Sequence, residues 1–101
     1  MTPQEEDFSA TAAEAKAFVE HFSPEARVVR AFPGLPNIEH RVEERLRRYD
    51  HDMDHELLRR AVRIQAWRDE GVPYLTAVAA AHEAEKRPTY AEIQQWKASR
   101  R

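Results

Sequence analysis

The chain has 101 residues, of which 34% are charged and 42% are hydrophobic, and its formal net charge at pH 7 is −2. A chain of this length has the size of one domain with one modest core. The charge balance lacks the basic excess that marks many nucleic-acid binders. Because cysteine is absent, disulfides and thiolate metal sites are excluded. We expect a cytoplasmic protein, since the sequence shows neither a secretory signal nor the roughly twenty apolar residues of a membrane span.

The amino-terminal part of the sequence is acidic and then becomes rich in alanine. Residues 1–7 are predicted to be a disordered acidic lead-in, followed by a single helical domain over residues 8–101. Thr11 and Glu14 have the spacing of a capping box, which predicts the start of the first helix. The apolar residues that would share one face of this helix are Ala15, Phe18, Val19 and Phe22.

A second, short helix is predicted after Ser23, which suits a cap, and Pro24, which suits the first helical position. It runs through Phe32. The residues expected to point inward from it are Ala26, Val29 and Phe32. The segment "PGLPN" at residues 33–37 is predicted to be a loop, and Asn37 is a suitable cap for the next helix.

The central part of the chain contains neither glycine nor proline between Ile38 and Glu70. Its apolar residues recur every three or four positions: Ile38, Val42, Leu46, Tyr49, Met53, Leu57, Ala61 and Ile64. This spacing predicts one continuous helix over about residues 38–70, roughly 50 Å long at the usual helical rise. The alternative is a break near Asp50–Asp54, because aspartate caps helices readily and propagates them poorly.

The last third of the sequence predicts a helical hairpin. Gly71 stops the central helix, and a further helix covers about Tyr74 to Glu85. The residues expected on one side of that helix are Leu75, Val78, Ala79 and His82. Thr89 and Glu92 form a second capping box that opens the last helix. The predicted fold is therefore all-α, with four to five helices, one long central helix and a C-terminal helical hairpin.

Two histidines, His51 and His55, are spaced so that both rings can converge on one side of a helix, as a two-histidine metal site requires. Such a site needs further ligands from elsewhere. The other histidines show no paired spacing that would supply them. The preferred interpretation is therefore a solvated face with no metal and no cofactor.

A row of arginines would lie beside the apolar stripe if the central helix were continuous. These residues are Arg41, Arg45, Arg48, Arg59 and Arg63. Such a row could bind phosphates or an acidic partner. The interleaved acids, with Glu43–Arg47, Glu44–Arg48 and Glu56–Arg60 at i and i+4, favour instead a solvated helix that is stabilised by its own ion pairs.

The C-terminal segment over residues 75–98 resembles a helix-turn-helix DNA-binding unit. Ala80 is the small residue where the two helices would pack, Tyr90 and Ile93 are the apolar residues of the second helix, and "RPTYAEIQQW" opens that helix. The resemblance implies a helix in the major groove. It also implies base contacts from Thr89, Ala91, Gln94 and Gln95, and phosphate contacts from Lys86, Arg87, Lys97, Arg100 and Arg101. The alternative is an ordinary helical hairpin.

No catalytic order of serine, histidine and aspartate can be picked out, and two glycines leave no phosphate-binding loop. We therefore expect a non-enzymatic helical protein-binding module, such as an adaptor, inhibitor or regulator, with no evident small-molecule substrate. Its expected anchors are Arg59, Arg63, Trp67, Tyr74, Tyr90 and Trp96. The broad apolar second half of the long helix favours a homodimer. The alternative function is a DNA-binding transcriptional regulator.

Overall fold

A computed structural model of the chain describes residues 3–49 and 55–100, with side chains over residues 11–49 and 56–100. Six α-helices and no strand occur in these residues, which confirms the all-α prediction. The helices are α1 (Pro3–His21), α2 (Pro24–Ala31), α3 (Glu39–Leu46), α4 (His55–Asp69), α5 (Tyr74–Glu85) and α6 (Tyr90–Ser99). Over the described residues, no helix combines the length and the apolar composition that crossing a bilayer requires.

The first helix begins earlier than the sequence analysis predicts. It starts at Pro3, so it includes part of the segment predicted as a disordered lead-in, and Thr11 lies inside the helix rather than at its cap. Proline suits the first turn of a helix, because the N–H that it lacks would have no partner inside the helix there. A proline at position 3 therefore favours a helix start before Thr11.

The predicted continuous helix over residues 38–70 is wrong. Helix α3 ends at Leu46, and the backbone N–H groups of Arg48 and Tyr49 donate to the carbonyl groups of Arg45 and Leu46 in a tight turn. A separate helix, α4, begins at His55. The chain therefore forms two helices here, although the predicted break at Asp50–Asp54 lies outside the described residues.

Helices α3 and α4 pack against each other as an antiparallel pair. On one flank of this pair, Arg63 donates to Glu39 through Nε at 2.8 Å and Nη2 at 3.4 Å. One turn further along α3, Glu43 accepts a hydrogen bond from Arg59. From the first ion pair to the second, the residue number increases in α3 and decreases in α4, as an antiparallel arrangement requires.

The opposite flank of the same helix pair carries ion pairs of reversed polarity. There α3 supplies the cations: Arg41 pairs with Glu70, and Arg45 donates to Asp69 at 2.7 Å. Each flank of α3 therefore meets its opposite charge on α4. Between the two flanks, Val42 of α3 and Ile38, the cap residue of this helix, are buried in the core.

Helix α5 packs against α4 and α2 through alanine. Its buried residues are Ala77, Ala80, Ala81 and Ala84. The face predicted from the larger apolar residues is wrong, because Leu75, Ala79 and His82 are exposed. Alanine side chains let helix backbones approach closely, so this small-residue face packs well although each side chain buries little area.

The core is completed by Trp67, which is 2% exposed. Its indole Nε1 donates to the carbonyl of Pro36 at 3.0 Å and so ties α4 to the loop before α3. That loop is present as predicted, with Gly34 at a φ of +98°. The predicted cap is wrong, however: Ile38 and not Asn37 is the cap of α3, and Asn37 instead accepts a hydrogen bond from the backbone N–H of Glu39. The core cluster consists of Val28, Ile38, Val42, Val62, Ala66, Trp67, Val72 and the four α5 alanines.

The buried face of α2 agrees only in part with the predicted one, since Phe32 packs against the core as predicted but Val29 does not. Its cap is as predicted, with Ser23 Oγ accepting from the backbone N–H of Ala26. However, Val29 is 61% exposed, whereas Val28 and Arg27 are buried. The buried guanidinium of Arg27 lies between the carboxylates of Glu83, on α5, and Glu92, on α6, at 3.7 Å and 3.2 Å.

Helix α6 opens with the predicted capping box. Thr89 Oγ1 accepts from the backbone N–H of Glu92, and the Glu92 carboxylate accepts from the backbone N–H of Thr89. The aromatic contacts of this helix go to α1, where Phe18 and Phe22 lie edge-on to Trp96 at centroid distances of 5.6 Å and 6.0 Å. The helix therefore packs on α1 through a small aromatic cluster.

The ion pair between Glu39 and Arg63 provides a test of the packing of α3 against α4. We expect Glu39→Gln to lower the free energy of unfolding by about 2–3 kcal/mol, because it leaves a buried guanidinium without its counter-charge. The double variant Glu39→Leu with Arg63→Met should recover most of this loss, since no buried charge remains. Urea denaturation measures both.

The matched control for this experiment is Glu44→Gln. Glu44 lies on the same helix, and its partner His40 is largely exposed. This change should alter stability by less than about 0.5 kcal/mol. If Glu39→Gln costs no more than Glu44→Gln, the α3–α4 pairing described above is incorrect.

Candidate functional site

The arginines predicted as binding residues are paired within the chain. Arg63 is buried against Glu39, and Arg59 is bonded to Glu43. With Arg87 they line a cleft of about 360 Å³, but Glu56 and Glu85 line the same cleft. The arginine row of the sequence is thus divided between two helices and is largely matched by acids.

The ion pairs lower the pKa values of their carboxyl groups. Hydrogen bonds from Arg59 lower the pKa of Glu43 below its ordinary value of 4.5. Hydrogen bonds from Arg45 lower the pKa of Asp69, and two bonds from Arg60, at 2.7 Å and 2.8 Å, lower that of Glu85. These groups are therefore ionised at neutral pH, where they serve as counter-charges of the arginines rather than as acids or bases.

Both tryptophans predicted as anchors are buried. Trp67 lies in the core, and Trp96 lies against the aromatic residues of α1. Neither side chain presents a broad surface to a protein partner in this fold, although Trp96 lines a cavity at the surface. Their burial also removes the argument for self-association, which assumed a long rod with Trp67 uncovered.

The helices expected to form a helix-turn-helix unit do not pack as one. Both are described throughout, and α5 packs on α4 and α2 while the aromatic contacts of α6 go to α1. Ala80, the expected contact between the two helices, is buried in the α5 face toward the main core. DNA binding stays an untested prediction, without support from this packing.

Some of the residues predicted to contact DNA have partners within the chain, and others are exposed. Thr89 is used as a helix cap, Lys86 pairs with Glu83, and Arg100 lies over the Trp96 ring at 4.8 Å. The other candidates, Arg87, Ala91, Gln94, Gln95 and Lys97, are exposed on or near α6. Arg101 lies outside the described residues.

The candidate metal ligands cannot be placed, because His51 and the side chain of His55 lie outside the described part of the chain. Among the side chains that are described, no group of three or more histidine and acidic residues is arranged to hold a metal ion.

Two large exposed apolar residues are adjacent at the amino end of α5. Leu75 is 79% exposed and Tyr74, its neighbour, is 56% exposed. The guanidinium of Arg68, on the last turn of α4, lies over the Tyr74 ring at 5.9 Å. Ala79 is exposed one turn after Leu75. We call Arg68, Tyr74, Leu75 and Ala79 the α5 patch; the other predicted aromatic anchor, Tyr90, is exposed at the start of α6.

Three members of the α5 patch, Arg68, Leu75 and Ala79, are absent from the predicted site, as is the buried Arg27. Leu75 was expected to share one side of α5 with Val78, Ala79 and His82. The sequence did contain an indication of the buried face of α5, since Ala77, Ala80, Ala81 and Ala84 also recur with the helical period. The burial of Arg27 cannot be predicted from the neighbouring sequence, because its partners lie more than fifty residues away in the chain.

The chain was compared with family models, with curated proteins and with solved structures, and it matches none of them.

Acid should weaken the interhelical pairs. The pKa of Glu85 is lowered on folding, so its pairing with Arg60 stabilises the protein fully above pH 4.5, and this stability is lost as the pH falls through the folded-state pKa. We expect Glu85→Gln to lower stability at pH 7 and to have progressively less effect below pH 4.5. Urea unfolding at several pH values measures the difference, with the exposed Glu14→Gln as control. A cost that does not change with pH would contradict this explanation.

Proposed function

We propose that this protein is a non-enzymatic helical binding module that docks onto another protein through the α5 patch. The proposal rests on the distribution of side chains around α5. Its buried face consists of small alanines, whereas its larger tyrosine and leucine are exposed to solvent. Single exposed apolar residues are common in proteins. Here, however, Tyr74 and Leu75 are adjacent and share the surface with an arginine.

The composition of the α5 patch indicates the chemistry of the partner. Tyrosine and arginine are enriched at the centres of protein interfaces, and an exposed leucine provides an apolar anchor. Arg68 contacts Tyr74, and no carboxylate among the described side chains forms an ion pair with it. The complementary surface is therefore an apolar groove that accepts Leu75 and has a carboxylate at its rim to meet Arg68.

The rest of the charged surface supports a binding role rather than catalysis. The acids that contact arginines on neighbouring helices act as structural counter-ions. For Glu43 and Glu85, hydrogen bonds from Arg59 and Arg60 also lower the pKa. A general base instead requires a pKa close to the working pH. The charged residues of the α3–α4 pair thus hold the scaffold that presents α5.

A photo-crosslinking experiment tests the docking surface. A photoreactive phenylalanine analogue would replace Leu75 in one sample and Val19 in a second, since Val19 is also well exposed, at 65%, but lies on α1. We expect irradiation in a lysate of the source cells to attach one protein from the Leu75 position and not from Val19. The captured protein is then purified and its affinity for the unmodified chain is measured by calorimetry.

The second stage uses charge substitutions. Leu75→Glu should weaken binding of the purified partner by at least about tenfold, because a carboxylate would enter the apolar contact. Val19→Glu should change the affinity by less than about twofold. Neither change should unfold the protein, since both residues are exposed. Equal weakening by the two variants contradicts the proposal, as does capture of nucleic acid or of a second copy of this chain at Leu75.

A further inference from the structure

A cavity of about 310 Å³ lies between α1, α2 and α6, away from the α5 patch. Aromatic rings form one part of its wall: Trp96, Phe22 and His21, the last of which stacks on Trp96 with a centroid distance of 5.9 Å. The volume is at the lower end of the range of about 300–1,000 Å³ that ligand pockets occupy. It suits one ring system with a short side chain.

The polar wall of this cavity includes one arginine that lacks an acid partner. Arg30 donates through Nη1 to the backbone carbonyl of His21 at 2.6 Å, which fixes the guanidinium at the cavity wall. Among the described side chains, none of the ion pairs includes Arg30. Arginine has five N–H donors, so several remain for an anion. The amide of Gln95 also lines the cavity.

The one carboxylate in the wall, Glu92, is already compensated. It accepts hydrogen bonds from the backbone N–H of Thr89 and from the buried Arg27, which also lies close to Glu83. These contacts lower the pKa of Glu92, first through Thr89 and then through Arg27, so that it is ionised as their partner. Its charge is therefore matched by Thr89 and Arg27 and not by Arg30.

The surroundings of His21 are consistent with a positive local potential. Burial lowers the pKa of His21, and the positive charges of Arg30 and Arg27 lower it further. A third guanidinium, that of Arg100, lies over the Trp96 ring at 4.8 Å. The guanidinium of Arg30 at the wall therefore favours an anionic ligand in this cavity.

We infer that this cavity binds an aromatic carboxylate, with the ring against Trp96 and Phe22 and the carboxylate on Arg30. An arginine guanidinium matches a carboxylate with two parallel N–H donors, which gives a directional contact. Two sources share this chemistry: a free aromatic acid, and the terminal carboxylate of a polypeptide that ends in an aromatic residue.

The test follows the two indole N–H signals of isotope-labelled protein by nuclear magnetic resonance. Indole-3-acetate is the probe, and its neutral analogue indole-3-acetamide is the matched control ligand. We expect the acetate to shift the Trp96 signal saturably and to leave the core residue Trp67 unchanged. The acetamide should bind at least about fivefold more weakly, because it lacks the charge that Arg30 recognises.

Two arginine variants separate recognition from general charge effects. Arg30→Gln should weaken the binding of indole-3-acetate by about tenfold, so that the acetate no longer binds more tightly than the acetamide. Arg47→Gln, which removes an exposed arginine outside the cavity, should preserve both affinities. An unsaturable shift, equal binding of the two probes, or unchanged binding to the Arg30 variant overturns the inference.

The source of the ligand is distinguished with a short acetylated peptide that ends in tryptophan, as the free acid and as the amide. If the free-acid peptide binds more tightly than indole-3-acetate, the cavity recognises a chain terminus. If it binds more weakly, the ligand is a free aromatic acid. In both cases the carboxylate form must bind more tightly than the amide, and a preference for the amide contradicts the inference.

Discussion

The antiparallel pairing of α3 and α4 is the interaction on which the rest of this structure depends. Val42 of α3 and Ile38, the cap residue of α3, are almost completely buried there, and both flanks are closed by arginine–carboxylate pairs. The two flanks have opposite polarity, with acids on α3 at one side and arginines at the other. A shift of register along α4 would move each charge away from its partner. The charges therefore select one alignment, while the apolar residues supply most of the free energy.

The sequence specifies the local elements of this protein well. The capping box of Thr89 and Glu92, the cap at Ser23 and the glycine stop at Gly71 depend on residues within a few positions of one another, and all three are present in the structure. Such signals are readable because their hydrogen bonds form within one helical turn. The same type of signal at Thr11 was misleading, since a helix that has already begun does not need a cap there.

Long-range arrangements could not be predicted from the same sequence. The regular apolar spacing from Ile38 to Ile64 fits a continuous helix as well as two helices that fold back, because both use the same helical period. What decides between them is the match between acids on one helix and arginines on the other, as in Glu39 and Arg63. That match is only visible once the helices are paired. The same reason applies to the cavity beside Arg30, whose walls come from three helices.

The exposure of Leu75 follows from the way in which α5 is held. Glu83 contacts Arg27 of α2, and Glu85 is bonded to Arg60 of α4. Residues that are two positions apart on a helix are separated by about 200° around its axis, so the two carboxylates lie on opposite flanks of α5. Turning α5 to bury Leu75 would withdraw both acids from their arginines and would replace alanines in a tightly packed interface by a larger side chain. The ion pairs that stabilise the fold thus also keep Leu75 on the surface, which is the position that a docking residue requires.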